Sequence, residues 1–205
     1  MHVDFYYSIA SRYSYLAASQ LLALEEETHC RVQWHALNSV RLLKERGQSP
    51  FDGPASSGQY DWTYRETDAR RWAELYDIPF VEPRGRMDYD SESLALAATA
   101  AKRLGRAAEF SRELFAELFG GETLRIDGEA YRRCAQKCGL DPDSLSAERE
   151  STATRAALEQ TMRSAHRVGV FGVPTFVVGR DLFWGNDRLP LLRRRLFATS
   201  ASPNR

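Results

Sequence analysis

The chain has little sulfur to work with. Cys30, Cys134 and Cys138 are the three cysteines in 205 residues. An odd count without metal-type doublets fits a reducing compartment. Cys134 and Cys138 stand one helical turn apart in YRRCAQKCGL, which is not the C-x-x-C of a redox dithiol. The four histidines, His2, His29, His35 and His166, offer no matching pair to complete a zinc site. No metal is expected, and the cysteines are expected to be buried structural thiols. Charge of one sign is also lacking, since Lys plus Arg and Asp plus Glu are 28 each. No basic stripe interleaved with aromatics stands out, so nucleic acid and anionic membrane are poor partners, and a small neutral or amphiphilic ligand suits the chain better. No apolar run approaches the roughly 20 residues of a membrane span, and the first residues lack the features of a secretory signal. The expectation is a cytoplasmic protein.

What is present begins with a strand. His2 to Tyr7, HVDFYY, is aromatic and β-branched, and reads as a buried strand. Ser14 to Glu27 follows with apolar residues on the helical period, and Arg31 to Leu37 alternates as a second strand. Connections this short make one βαβ unit with parallel strands. From Leu42 the stretch KERGQSPFDGPASSGQ breaks all periodicity and reads as loop. Helical segments are then expected at about 60–76, 91–104, 106–119, 128–139 and 146–168, with DPDSLSAERE supplying cap residues before the last. After Gly172, PTFVV and LFW flank the turn GRD as a hairpin. GNDRLPLLRRRLF resumes helical spacing, and the tail ATSASPNR is expected to be disordered. The order β-α-β, helical block, β-β-α describes an α/β fold: a thioredoxin-like domain formed by residues 1–41 and 170–205, with residues 42–169 as an inserted all-helical domain.

Three places carry candidate chemistry. In thioredoxin-like folds the loop after the first strand holds the reactive dithiol at a helix N-terminus. Here that tetrad is Ser11, Arg12, Tyr13 and Ser14, so disulfide exchange at this position is excluded. A serine hydroxyl there can instead donate to a thiolate brought by a ligand, assisted by the helix dipole. The competing role for either serine is an N-cap, which is expected for Ser14, with the ligand role expected for Ser11. The Val173-Pro174 step precedes a strand beside this loop and is expected to be cis, turning the Val173 amide and carbonyl toward an extended peptide ligand. Asn186 and Asp187 lie where a strand gives way to the last helix, and either cap it or bind an amino acid's charged groups.

DFYYSIASRYSYLA, the pattern Y-x-x-x-D-x-x-R-W-A from Tyr64 to Ala73, DIPF, GVFGVPTF and FWGNDRL together resemble the 2-hydroxychromene-2-carboxylate isomerases, relatives of kappa-class glutathione transferases in the DsbA-like branch of the thioredoxin superfamily. The resemblance runs in order from residue 3 to about 197. It implies glutathione as cofactor, with Ser11 at the glutathione sulfur, Val173 and Pro174 at the cysteinyl backbone, and Asn186 with Asp187 at the γ-glutamyl group. It also implies a small aromatic substrate, a homodimer, and an isomerisation in aromatic hydrocarbon catabolism in which the thiolate adds to a conjugated double bond, lets it rotate and departs. Two positions depart from the family pattern: Arg12 replaces the usual proline, and Asp61 replaces a lysine. Arg12, His35 and Tyr64 are the positions expected to meet the substrate; the competing readings are a solvated surface arginine for Arg12 and a satisfied core or loop histidine for His35. The rival functions are a glutathione transferase or peroxidase acting on hydrophobic electrophiles, and a non-catalytic glutathione- or partner-binding protein.

Overall fold

The computed structural model describes residues 1–45, 47, 57–85, 88–121 and 125–200. Its centre is a four-stranded sheet in the order β2-β1-β3-β4, formed by β1 (His2–Tyr7), β2 (Arg31–Ala36), β3 (Thr175–Val178) and β4 (Asp181–Trp184). β1 and β2 are parallel, β1 and β3 antiparallel, and β3 and β4 form the expected hairpin. The central position of β1 follows from its side chains: Val3, Phe5 and Tyr7 are buried on one face and Tyr6 on the other. Phe5 stacks on Tyr7 and on Phe176, each with ring centroids 5.0 Å apart, and Trp34 meets Phe5 edge-on at 5.1 Å.

Ten helices surround the sheet among the described residues. α1 (Arg12–Ser19) and α2 (Leu21–Thr28) replace the single helix expected over this stretch. The apolar period runs through both, but at the junction Gln20 closes one helix and opens the next, while the Ser19 hydroxyl turns back to the Leu16 carbonyl at 2.8 Å. α3 (Ser39–Glu45) occupies the start of the region read as loop. Its signal was a cap: Asn38 Oδ1 accepts from the Arg41 N–H at 3.1 Å. Of the rest of that expected loop, residues 46 and 48–56 lie outside the described residues, and its end enters a 3-10 turn, Gly58–Tyr60.

α4 (Trp62–Leu75), α5 (Ser91–Arg103), α6 (Ala107–Phe119) and α7 (Gly128–Lys137) fall where the periodicity put them. The last long segment divides into α8 (Pro142–Glu150) and α9 (Thr152–Arg167), because each has its own cap. Asp141 accepts from the Ser144 N–H with Pro142 in the first turn, and Ser151 Oγ accepts from the Thr154 N–H at 3.0 Å. α10 (Leu189–Ser200) extends into the tail expected to be disordered, whose last five residues lie outside the described ones.

The helices cover both sheet faces. α1, α2, α6 and α10 contribute to the cluster around Phe5 and Tyr7, and the Tyr7 hydroxyl meets Ser111 Oγ on α6 at 2.7 Å. α9 supplies Leu158, Met162 and Ala165 to the opposite cluster around Tyr6 and Val177. Cys30 and Cys134 are buried and Cys138 is partly so. Burial pushes the Cys134 thiol up to about 12, so it is inert at neutral pH. No helix among the described residues is long and apolar enough to cross a membrane.

Candidate active site at the end of the sheet

Strand register alone gathers the predicted residues. Tyr6 pairs with Thr175 and Thr175 with Trp184. One step further along, the end of β1, the Val173-Pro174 step and the end of β4 therefore share one edge of the sheet. The Gly185 N–H donates to the Pro174 carbonyl at 2.9 Å, extending the ladder by a residue. From that edge the chain after β1 turns into α1, and the chain after β4 turns into a 3-10 turn, Asn186–Arg188, which packs against α1. Ser11 opens α1, Asn186 and Asp187 lie in the turn packed against that helix, and Val173 and Pro174 precede β3 at the same end of the sheet. The Val173-Pro174 bond is cis, as expected.

Ser11, rather than Ser14, is the N-cap of α1: its Oγ accepts from the Ser14 N–H at 3.2 Å. This corrects the expected division of labour between the two serines. Ser14 is fully buried, and its Oγ accepts from the Ser8 N–H at 3.3 Å, pinning the loop. Capping uses a lone pair of Ser11 Oγ and leaves its O–H to donate outward. Beside it, the N–H groups of the first helical turn have no intrahelical partner. Donors of these two kinds converge on any anion at this end of α1.

Asn186 and Asp187 are not caps. Gly185 holds the position before the 3-10 turn, without a side-chain cap. Its φ of 111° suits glycine, and a Cβ there would collide with Asp187 Oδ1. Asn186 is 3% exposed, and its Nδ2 is buried without a hydrogen-bond partner among the described residues. It stands beside the Tyr76 hydroxyl without a hydrogen bond of normal geometry. Burial raises the Tyr76 phenol above its ordinary value, and Asn186 opposes that rise. A buried orphan amide is costly, on the order of 1–3 kcal/mol, unless something completes it. The Asp187 carboxylate beside it is half-exposed, with Arg188 at 3.6 Å. A buried donor next to an accessible carboxylate suits the carboxylate and ammonium of an amino acid, so these residues fit a γ-glutamyl group.

Arg12 is not a solvated arginine. It is 7% exposed, its Nη2 donates to Glu82 Oε1 at 3.1 Å, and Nη1 faces Oε2 at 2.9 Å as an ion pair without hydrogen-bond alignment. Glu82 Oε1 also accepts from the Arg84 N–H at 3.1 Å. Asp61, the other departure from the family pattern, caps α4 by accepting from the Tyr64 N–H at 2.9 Å. Tyr64 itself is 52% exposed in the first turn of α4.

His35 stands apart from this group. It stacks on Tyr6 at 4.8 Å, on the sheet face opposite Phe5 and Tyr7. Lys102 donates to its Nδ1 at 3.0 Å and its Nε2 meets Asp4 at 2.8 Å, the arrangement of a neutral ring protonated on Nε2. Burial and Lys102 lower its pKa, against the pull of Asp4. This is the satisfied histidine of the competing reading. Trp62, Arg65, Tyr76, Glu82 and Arg84 were missed because their neighbours come from distant parts of the chain.

Residues 2–197 match the DSBA-like thioredoxin domain. The chain belongs to the DsbA-like thioredoxin family. Within it, the chain is 29% identical to the 2-hydroxychromene-2-carboxylate isomerase of Pseudomonas putida over 194 residues, covering 94% of this chain and 92% of that one. It is 21% identical to glutathione S-transferase kappa 1 of Rattus norvegicus, covering 93% and 88% of the two chains. Its fold superposes on a solved 2-hydroxychromene-2-carboxylate isomerase with a TM-score of 0.85 at 27% identity, over 100% of both chains. Enzymes named for isomerisation and for glutathione transfer are thus the relatives of this DsbA-like chain.

Proposed function

We propose that the protein is a glutathione-dependent isomerase acting on a conjugated aromatic carboxylate of the 2-hydroxychromene-2-carboxylate type. The observation that carries this reading is a helix N-terminus capped by Ser11 at the end of the sheet where the Val173-Pro174 step precedes β3, with the buried, unpartnered Asn186 amide in the turn packed against that helix. The chemistry supplied by bound glutathione is reversible nucleophilic addition to a conjugated double bond, which frees that bond to rotate. Ser11 donates its hydroxyl to the sulfur and, with the first-turn amides of α1, favours the thiolate over the thiol. Val173 offers its backbone to the cysteinyl portion in the manner of an added strand. Asn186 and Asp187 hold the γ-glutamyl end. The tetrad Ser11 to Ser14 carries no sulfur of its own, which speaks against exchange with protein disulfides.

The thiol of glutathione should ionise about one pH unit or more below its free value when bound. Thiolate absorbance titrated against pH, with and without protein, measures this; coincident curves overturn the reading. Product analysis separates isomerisation from transfer: isomerisation returns glutathione unchanged, whereas the transferase suggested by the kappa-class relative leaves a stable conjugate.

Asp187→Ala should weaken glutathione binding about tenfold, the low end for a charge-assisted hydrogen bond because this carboxylate is half-exposed. The melting temperature should stay within a degree or so, since Asp187 caps nothing. Calorimetric affinity and thermal denaturation of the same variant check both halves. A fall in melting temperature with unchanged affinity would make Asp187 structural.

A further inference from the structure

Beside Ser11, three guanidiniums crowd one indole. The guanidinium carbons of Arg84, Arg12 and Arg65 lie 4.4, 5.1 and 6.0 Å from the Trp62 ring centroid, and Arg65 also lies 5.0 Å from the Tyr13 ring. Cation–π attraction favours each contact, yet the three charges repel one another. The nearby carboxylates are already engaged. Glu82 holds Arg12, Asp68 accepts from the Tyr13 hydroxyl at 2.8 Å, Asp61 caps α4, and Glu66 accepts from Arg70 at 2.8 Å. Among the described residues the Arg84 side chain makes no ion pair, and it is exposed. A guanidinium stacked on a ring keeps its N–H donors in a plane, pointing outward, ready for a carboxylate.

A small cleft adjoins this cluster. It measures about 160 Å³ and is lined by the apolar Phe80 and Val81 together with Glu66, Arg70, Glu82 and Arg84. A cavity of about 150 Å³ is large enough for benzene. We propose that Arg84, stacked on Trp62, with Arg65 over the Tyr13 ring beside it, forms the carboxylate subsite for a planar aromatic monocarboxylate, with the Phe80–Val81 cleft accommodating ring-sized apolar groups. As the electrophile's docking point this rests on the isomerase reading; as a binding site it stands alone.

Calorimetry with trans-cinnamate and with its neutral amide tests the assignment. Wild-type protein should bind cinnamate about tenfold or more tightly than the amide, the preference expected of one charge-assisted contact. Arg84→Gln, a change at an exposed side chain that leaves folding intact, should abolish the preference, and Arg65→Gln should reduce it. Equal affinity for acid and amide in the wild type, or a preference that survives Arg84→Gln, overturns the proposal. Glutathione titrated separately keeps the two readings apart. Its failure to bind sinks the isomerase reading and leaves the cinnamate result standing.

Discussion

Glu82→Gln should destabilise the protein by about 3 kcal/mol, the low end of the cost of stranding one member of a buried ion pair. For a chain of this size that corresponds to a melting temperature lower by roughly 6–12 °C. The reason lies in what surrounds Arg12. Its side chain and that of Glu82 are only 8% and 9% exposed, so neither charge is well solvated by water. Burial lowers the Arg12 pKa, Glu82 raises it again, and Arg65 adds repulsion. Without the Glu82 charge, burial and Arg65 are opposed by the weaker influences of Tyr13 and Tyr89 and by the Trp62 ring. The double variant Arg12→Met with Glu82→Leu should recover most of the loss, because well-packed apolar replacements avoid the desolvation cost altogether. Thermal denaturation of the single and double variants checks this. A shift below about 2 °C in the single variant would mean that water reaches the pair and that Arg12 remains available to ligands.

This pair also marks the boundary of what the sequence disclosed. The strands were legible because alternation and β-branching are local; the pairing and register of β1 with β3 join distant parts of the chain and appear only in the structure. The placement of Ser11, Val173 and Asn186 next to strand ends was legible for the same reason, since each strand beside them is readable. Helix boundaries were less so. The breaks at Gln20 and Ser151 lie inside continuous apolar periodicity and depend on single caps that compete weakly with it. Which serine caps α1 is settled by backbone geometry: Ser11 is extended, with φ −101° and ψ 116°, whereas Ser14 already lies within the helix. The fate of Arg12 could not be read locally at all, because Glu82 is 70 residues away and Trp62 belongs to another helix. An arginine beside Ser11, where the proposal puts the glutathione sulfur, invites a ligand role; a distant carboxylate gives it a structural one.

Ser11→Ala and Ser11→Gly should each lower isomerase turnover about a hundredfold while changing glutathione affinity by less than about threefold. A hydrogen bond to an ionised group contributes roughly 1.5–3 kcal/mol, and that of Ser11 would be strongest to the thiolate. In the complex proposed above, most of the peptide's binding contacts fall elsewhere, on Val173, Asn186 and Asp187. The two variants differ in the second job of the residue. Ser11 Oγ caps α1, so Ala should also cost about 1 kcal/mol of stability, whereas Gly at an N-cap costs only a few tenths. If turnover falls equally in both while the melting temperature falls only in Ala, the hydroxyl acts on the sulfur and its catalytic role is independent of the cap. If turnover instead follows stability, high in Gly and low in Ala, Ser11 is a cap and nothing more. The pH profile adds a signature that a cap cannot produce: loss of the hydroxyl should move the thiolate titration of bound glutathione upward, toward that of the free thiol. An unmoved titration in both variants would leave the α1 N-terminus as the sole source of thiolate stabilisation and remove Ser11 from the mechanism.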